Sequence, residues 1–290
     1  MDITKSAIED SLKSFIAEDV GHGDITSNAI INPSMIGEGR VVCKESAVIA
    51  GIEEALLLLE LANCTGKPLA HDGERVKAGT TTILTVKGSA RGLLSIERTL
   101  LNLVSHMSGV ATATSDLVSI AAKASGNTVR VACTRKTLPG LRHFEKRAVE
   151  LGGGDTHRLR LDDAVLIKDN HLEFAESIAD AVRAAKAKVS FTKKIEVEVT
   201  SPDQVVSAAK AGADIVLLDN MNARGVARSV ASLKTMGLRD RVMIEASGGI
   251  NRDNLASYAR TGVDVISVGA ITHSAKAIDM NMEIKASKKR

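Results

Sequence analysis

The sequence predicts an α/β protein whose second half is a shortened, open α/β barrel of about six strands. Three observations carry that expectation. From Thr128 onward, short apolar runs alternate with helical stretches, the pattern of a parallel sheet with crossover helices. About six such units fit into roughly 145 residues, whereas a closed eight-stranded barrel takes nearer 250. The preceding region has a different texture, with short β-like runs bounded by glycines and charged turns. At roughly 150 residues per domain, 290 residues suggest two domains.

In chain order, Ile8, Leu12, Phe15 and Ile16 recur at the spacing of an amphipathic helix. A polar, glycine-punctuated loop, Glu18–Ser27, follows. Between Gly37 and Lys87 the runs Gly39–Cys43 and Thr81–Val86 read as strands, with a helical run over Glu53–Leu61. The stretch DGERVKAGTTTILTVKG resembles the hairpin turns of small lipoyl-like sandwiches. It lacks a lysine at the tip where lipoylation would occur, so it is architecture only. Arg91–Ala124 reads as a long helical stretch, either one helix or two broken near Gly109, with Leu93, Leu100, Leu101, Val104 and Met107 on its apolar face. Glu97 and Arg98 interrupt that face, either as a surface ion pair or as a charge aimed at a site. The strands of the second half are Thr128–Ala132, Ala164–Ile167, Lys194–Val197, Asp214–Leu218, Arg241–Ile244 and Asp264–Val268. Ser201-Pro202-Asp203-Gln204 is a capping box with proline at the first helical position. Gly212 and Gly262 read as helix stops.

Composition excludes several classes. Hydrophobic residues at 44% and charged residues at 25% are ordinary globular usage, and 23 glycines with 4 prolines rule out a collagen-like chain. No apolar run approaches the ~18 residues of a membrane span. Met1-Asp2-Ile3-Thr4 lacks the basic-then-apolar start of a signal peptide. Cys43, Cys64 and Cys133 have no CxxC spacing, which suits a reducing cytoplasm. The net charge of +3 is mild, and partly due to Lys285, Lys288, Lys289 and Arg290. Phe15, Phe144, Phe174, Phe191 and Tyr258 are the only aromatics, too few for the stacking platforms of a single-strand nucleic-acid binder.

In α/β sheets the chemistry sits where strands end and loops begin. The first strand runs into CTRKTLPG, bringing Arg135 and Lys136, and the next helix ends at GGGDTHR, bringing His157 and Arg158. The second strand ends in IKDNH with Lys168, the third in EVEV with Glu196 and Glu198, the fourth in LLDN with Asp219. The fifth ends in EASGGI and the sixth in SVGAITHS. Arg135, Lys136, His157, Arg158 and Lys168 form a cationic set. Such a set suits an anion with more than one carboxylate, since guanidinium binds carboxylate bidentately. Glu198 and Asp219 suit ribose hydroxyls, a developing cation or a hard metal. SGGI before a helix, and VGA at a strand end, suit a phosphate: glycines admit oxygens to backbone N–H groups and the helix dipole adds to them. His106, His143 and His171 read as structural, and Cys133 as a small buried residue beside the site. Any one of these charges alone is a common solvated strand-end residue; their joint occurrence at successive strand ends carries the functional reading.

The stretches EDVGHGDITS, ERTLLNLVSHMSG, TRKTLPGLRHFEKRAV, GGGDTHRLRLDDAVLIKDNH, IEVEV, AGADIVLLDN, EASGGI and GVDVISVGAITHSAKAIDM, in that order, resemble the quinolinate phosphoribosyltransferase family of type II phosphoribosyltransferases. The resemblance covers nearly the whole chain. It implies that quinolinate and 5-phosphoribosyl-1-pyrophosphate give nicotinate mononucleotide, pyrophosphate and CO2, with Mg2+. It implies an N-terminal α/β sandwich over residues 1–110, rejoined by 275–290, and an open barrel over 111–274. It also implies a homodimer, or a hexamer as a trimer of dimers, in which Arg98 is contributed across the interface. Thr134, Arg135, Lys136, His157, Arg158 and Lys168 match the quinolinate pocket. Lys136, Lys168, Glu198 and Asp219 match the catalytic set, with Glu198 and Asp219 facing the ribose hydroxyls and the metal, directly or through water. Ser247, Gly248, Gly249, Val268, Gly269, Ala270 and His273 match the 5-phosphate site. No nucleic acid or membrane partner is implied. The chain departs from the family at Cys133-Thr134, where DTRKT is usual, at Arg147, where tyrosine is usual, and at Thr156, where asparagine is usual.

Other readings share parts of this pattern. A type II enzyme acting on nicotinate and the molybdate-operon paralogue of the family are the nearest. A phosphate-binding lyase with Lys168 as Schiff-base former is a second class, and would need a desolvated amine of depressed pKa. A non-catalytic binding module is a third, against which the charged strand ends argue.

Overall fold

The computed structural model describes residues 5–287; Met1–Thr4 and the basic Lys288, Lys289 and Arg290 lie outside them. In chain order the elements are α1 (Lys5–Val20), α2 (Ile25–Ile30), β1 (Ile36–Cys43), β2 (Ala47–Val48), α3 (Ile52–Leu61), β3 (Cys64–Pro68), β4 (Arg75–Val76) and β5 (Thr81–Ser89). Then come α4 (Ala90–Ser125), β6 (Arg130–Ala132), α5 (Arg142–Leu151), β7 (Val165–Ile167), α6 (Asp169–Leu172), α7 (Ile178–Lys188) and β8 (Ile195–Val199). The chain finishes with α8 (Pro202–Ala211), β9 (Ile215–Asp219), α9 (Ala223–Thr235), β10 (Met243–Ser247), α10 (Leu255–Ala259), β11 (Val265–Ser267), α11 (Ala270–His273) and β12 (Met280–Ala286). They form two compact units. One holds the chain up to Ala113, Pro139–Gly153 and everything from Ala275; the other holds Thr114–Leu138 and Gly154–Ser274.

The first unit is built on a four-stranded antiparallel sheet in the order β12-β1-β5-β3. The C-terminal segment does return to it: β12 pairs with β1 from Gly37 opposite Ala286 to Cys43 opposite Met280. Helix α3 lies on this sheet, where a Cβ on Gly66 would come within 2.7 Å of Leu59 Cδ1 and 2.8 Å of Leu56 Cδ2. Asp72 starts α3 by accepting the Gly51 and Ile52 N–H groups at 2.8 and 3.0 Å.

Two local expectations are corrected here and an open one is settled. The Glu18–Ser27 loop is shorter than read, because α1 runs to Val20 and Asp24 caps α2 through the Ser27 N–H at 3.0 Å. The lipoyl-like hairpin does not form: β4 pairs with β2, Ala47 opposite Val76, instead of with β5. Helix α4 is continuous over 36 residues. Gly109 is there for close approach, since a Cβ would fall 2.2 Å from the Lys276 carbonyl oxygen.

Residues 139–153, assigned to the barrel by the alternation, cluster with the first unit. Arg147 on α5 explains why: its Nη2 reaches Glu53 at 2.7 Å and Asp72 at 3.2 Å, and its Nε reaches Glu54 at 3.2 Å. Phe144 also packs against Phe15, with ring centroids 5.6 Å apart and the rings tilted by 53°.

The second unit contains six parallel strands in the order β6-β11-β10-β9-β8-β7. All six strands anticipated from the sequence are present. β6 and β7 are consecutive in the chain yet stand at opposite edges. The barrel is therefore open between them, and the helix of that connection, α5, belongs to the other unit. Segment 154–157 partly dresses the β6 edge, with the Asp155 N–H donating to Val131 and the Cys133 N–H to Asp155. Helix α8 starts as read: the Ser201 hydroxyl accepts the Gln204 N–H, Pro202 is first, and Gly212 ends it at φ 84°. Gln204 reaches back to the Thr200 N–H at 2.9 Å, one residue earlier than a capping box requires. Val197, Val216, Leu218, Ile244, Ala246 and Ile266 are fully buried. Glu196, Glu245 and Ser267 are buried among them, and these exceptions mark the site.

Candidate active site

A cleft of about 450 Å³ opens where the strands of the second unit end. Period-two alternation supplies its lining: Leu166 and Lys168 follow from β7, Leu217 and Asp219 from β9, and Glu245 and Ser247 from β10. Thr134, Arg135, Lys136, His157, Arg158, Glu198, Gly248 and Gly249 complete it, so most of the site residues anticipated from sequence are brought together. Val268, Gly269, Ala270 and His273 form the adjoining turn. Gly269 meets it closely, for a Cβ there would lie 3.1 Å from Lys136 Cδ, and Thr272 Oγ1 donates to the Lys136 carbonyl at 2.8 Å. Arg98 is an exposed residue of α4 in the first unit. A larger depression, about 920 Å³, lies on the first unit's sheet. It is lined by charges that pair with one another, Arg40 with Glu283 and Lys87 with Glu38, and has no comparable chemistry.

The cationic group is poised for an anion. Arg135 Nε is buried and has no hydrogen-bond partner. Burial, and then the charge of Arg135, lower the proton affinity of the Arg158 guanidinium. A buried unpaired donor and two repelling cations are both unfavourable in the free protein. A dianion would relieve both through charge-assisted hydrogen bonds.

His157 is more engaged than a plain cation. Its backbone is left-handed, at φ 53°, and is held there by Asp155 Oδ1, which accepts the His157 N–H at 2.8 Å. Its Nδ1 lies 2.8 Å from the Arg158 amide nitrogen and accepts that N–H in the neutral ring, whose single proton is then on Nε2. Nε2 lies 3.2 Å from Glu245 Oε2 and 3.5 Å from Glu196 Oε2. Burial pulls the proton affinity of the ring down, and the two carboxylates overcome it, pushing it up to about 10. Burial likewise raises Glu196. His157, Glu196 and Glu245 also have the spacing of a metal-ligand set, but the Nε2–H between the carboxylates accounts for their approach. Glu196 and Glu245 stand at the strand ends singled out in the sequence but were assigned no role there. Their signal was an acidic side chain inside an otherwise apolar parallel strand.

On the anionic side, Lys168 Nζ donates to Glu198 Oε2 at 2.8 Å, and Asn220 Nδ2 to Asp219 Oδ2 at 2.6 Å. An ammonium held by a carboxylate does not suit a Schiff-base former, which removes the support for the lyase reading. His171 is structural, its Nδ1 accepting the Lys168 N–H at 2.9 Å at the start of α6. Cys133 is buried, with Sγ 3.2 Å from the Thr156 carbonyl.

The glycine loops differ from expectation in one respect. Gly248 and Gly249 take φ 91° and 62°, a conformation that turns successive N–H groups toward an anion. Helix α10, however, begins only at Leu255, so no helix dipole points out of that loop. The second loop does lead straight into α11, a single turn starting at Ala270.

The sequence matches the N-terminal domain of quinolinate phosphoribosyl transferase over residues 24–108 and its C-terminal domain over residues 110–283. The chain belongs to the quinolinate phosphoribosyl transferase family. A "probable nicotinate-nucleotide pyrophosphorylase [carboxylating]" of Methanothermobacter thermautotrophicus is 47% identical over 96% of this chain and 99% of that protein. The nicotinate-nucleotide pyrophosphorylase [carboxylating] of Mycobacterium leprae is 40% identical over 96% and 97%. The crystal structure of NadC from Streptococcus pyogenes superposes with a TM-score of 0.90 at 35% identity, covering 99% of this chain and 100% of that one. Human nicotinic acid phosphoribosyltransferase, at 15% identity and a TM-score of 0.62, shares the fold alone. The chain is a phosphoribosyltransferase of de novo NAD biosynthesis, converting quinolinate and 5-phosphoribosyl-1-pyrophosphate to nicotinate mononucleotide. Among the described residues no helix is long and apolar enough to cross a membrane.

Proposed function

We propose that the cleft of the second unit is where this reaction takes place, with Arg135 and Arg158 binding the two carboxylates of quinolinate. The observation that carries the reading is the buried Arg135 Nε, which has no hydrogen-bond partner, beside the Arg158 guanidinium in a cleft that also holds Glu198 and Asp219. The quinolinate nitrogen attacks the anomeric carbon as pyrophosphate leaves, and Glu198 and Asp219 stabilise the cationic character that develops on the ribose. Lys136 and Lys168 balance the departing pyrophosphate. The Gly248–Gly249 loop and the Val268–His273 turn hold the 5-phosphate. Once the ring nitrogen is quaternary, the bond from C2 to its carboxylate breaks, CO2 leaves without a further cofactor, and the electron pair left at C2 beside the ring cation takes up a proton from water.

The carboxylate oxygens of Glu198 and Asp219 are a hard donor set and fit Mg2+ entering with the phosphoribosyl donor. When bound, the ion offsets charge on the pyrophosphate. The working assembly is a homodimer, or a hexamer of three dimers, in the cytoplasm, with Arg98 reaching the quinolinate pocket of the neighbouring subunit. The exposure of Arg98 on α4 supports that placement.

The test is release of pyrophosphate and CO2 from quinolinate, with nicotinate in parallel. Arg135→Ala should raise the KM for quinolinate about 10- to 100-fold, the worth of a charge-assisted pair, and leave the KM for the donor nearly unchanged. Equal rises in both would remove Arg135 from the carboxylate pocket. Mixing Arg98→Ala with Asp219→Ala subunits should restore part of the lost activity; no recovery would place Arg98 in its own subunit's site or outside any site.

A further inference from the structure

We infer that Asn220 is a positioning residue, one that fixes Asp219 and the Ser247–Gly249 loop as a single unit and so sets the distance between the ribose and 5-phosphate anchor points. This rests on the reading of the cleft given above.

Asn220 is the first residue after β9 and has a left-handed backbone at φ 54°. Three contacts meet on it. Its side-chain Nδ2 donates to Asp219 Oδ2 at 2.6 Å. Its backbone N–H donates to the Ser247 carbonyl at 2.9 Å. Its Oδ1 lies over Gly248, where a Cβ would come within 2.3 Å of that oxygen. Gly248 is thus glycine for two reasons, its φ of 91° and the amide above it. The parallel pairing of β9 with β10 sets Asp219 opposite Ser247 in the backbone. That pairing leaves the Asp219 carboxylate free to rotate about two side-chain torsions, and the Asn220 amide removes that freedom. Glycine would satisfy the left-handed backbone at no steric cost. What asparagine adds is the donor on Asp219 and the oxygen over Gly248.

The chemistry makes the coupling useful. The ribose hydroxyls and the 5-phosphate belong to one small molecule, joined through a few bonds of fixed length. A carboxylate and a phosphate loop held to each other present both anchor points at once, and small misplacements of a positioning group are costly to rate. Quinolinate touches neither anchor, so its binding should be indifferent to Asn220.

Two variants test this. Asn220→Asp keeps the size and tolerates the backbone but replaces the donor with a second carboxylate facing Asp219. Asn220→Gly keeps the backbone and removes the amide. Asn220→Asp should raise the KM for the phosphoribosyl donor about tenfold or more and lower kcat. Asn220→Gly should move both in the same direction by a smaller factor, about threefold. Quinolinate affinity, measured by calorimetry without the donor, should stay within about twofold, and the melting temperature should hold. The inference is overturned if both variants keep wild-type donor kinetics, or if quinolinate affinity falls as far as the donor KM rises. Asp219→Asn run in parallel separates the two levels. If it too leaves the donor kinetics intact, the reading of the cleft fails. If it impairs them while the Asn220 variants do not, only the role of Asn220 fails.

Discussion

Each unit holds a buried cluster of one cation between carboxylates, and the two have opposite consequences. In the first unit Arg147 sits among Glu53, Glu54 and Asp72. In the second His157 sits between Glu196 and Glu245. By composition they are the same device. The Arg147 cluster ties α5 to residues of the sheet unit, and its charges answer one another. The His157 cluster lines a cleft, rests on a left-handed backbone, and adjoins two further cations, Arg135 and Arg158. Buried ion pairs are weak evidence of function by themselves. Strain and further cations gathered at a cleft beside the pair are what separate a site from a cross-link.

The comparison can be broken at its strongest point first. Arg147→Met leaves Glu54 buried without its cation and should cost about 3–5 kcal/mol in urea unfolding while both KM values hold. A kinetic change without loss of stability would make this cluster part of the site.

Next is its pH dependence. Burial, moderated by Arg147, pushes Glu54 from its ordinary 4.5 up to about 7. The unfolded chain ionises first as pH rises, so stability is fully present below pH 4.5 and is lost through pH 7, by about 3 kcal/mol in all. Glu54→Gln should flatten that descent. His157 is also raised, from 6.5 to about 10, so its contribution is present below pH 6.5 and is lost through the higher window. An unchanged slope in Glu54→Gln would mean that Glu54 titrates near its ordinary value.

The smallest effect belongs to the second cluster. Glu245→Gln should lower kcat/KM for quinolinate about tenfold, through loss of ring and Arg158 alignment, together with part of the stability that the raised His157 contributes. A large fall in stability with normal kinetics would make the two clusters equivalent.

Much of this was legible in the sequence because it was periodic or local. Six strands, the start and stop of α8 and the charged strand ends all follow from spacing. What escaped depends on a partner far along the chain. Gly109 reads as a helix break until Lys276 is seen against it. Helix α5 sits in the chain between two barrel strands, and the contacts of Arg147 and Phe144 tell where it packs. Glu196 and Glu245 carry no local motif; each becomes a site residue because His157 reaches it from another loop. Asn220 looks like turn chemistry until Gly248 is placed beneath its amide.

The return of β12 to β1 bears on how the chain is made. On the ribosome β1 emerges among the first 43 residues, but its outer-edge partner begins at Met280. The whole parallel sheet is synthesised in between. The β1 edge, with its unpaired N–H and C=O groups, must wait exposed until the chain has been made past Met280. The first unit to appear is therefore the last to be completed. A chain cut at the junction of its two family domains, between residues 108 and 110, would yield an N-terminal half that never closes its sheet.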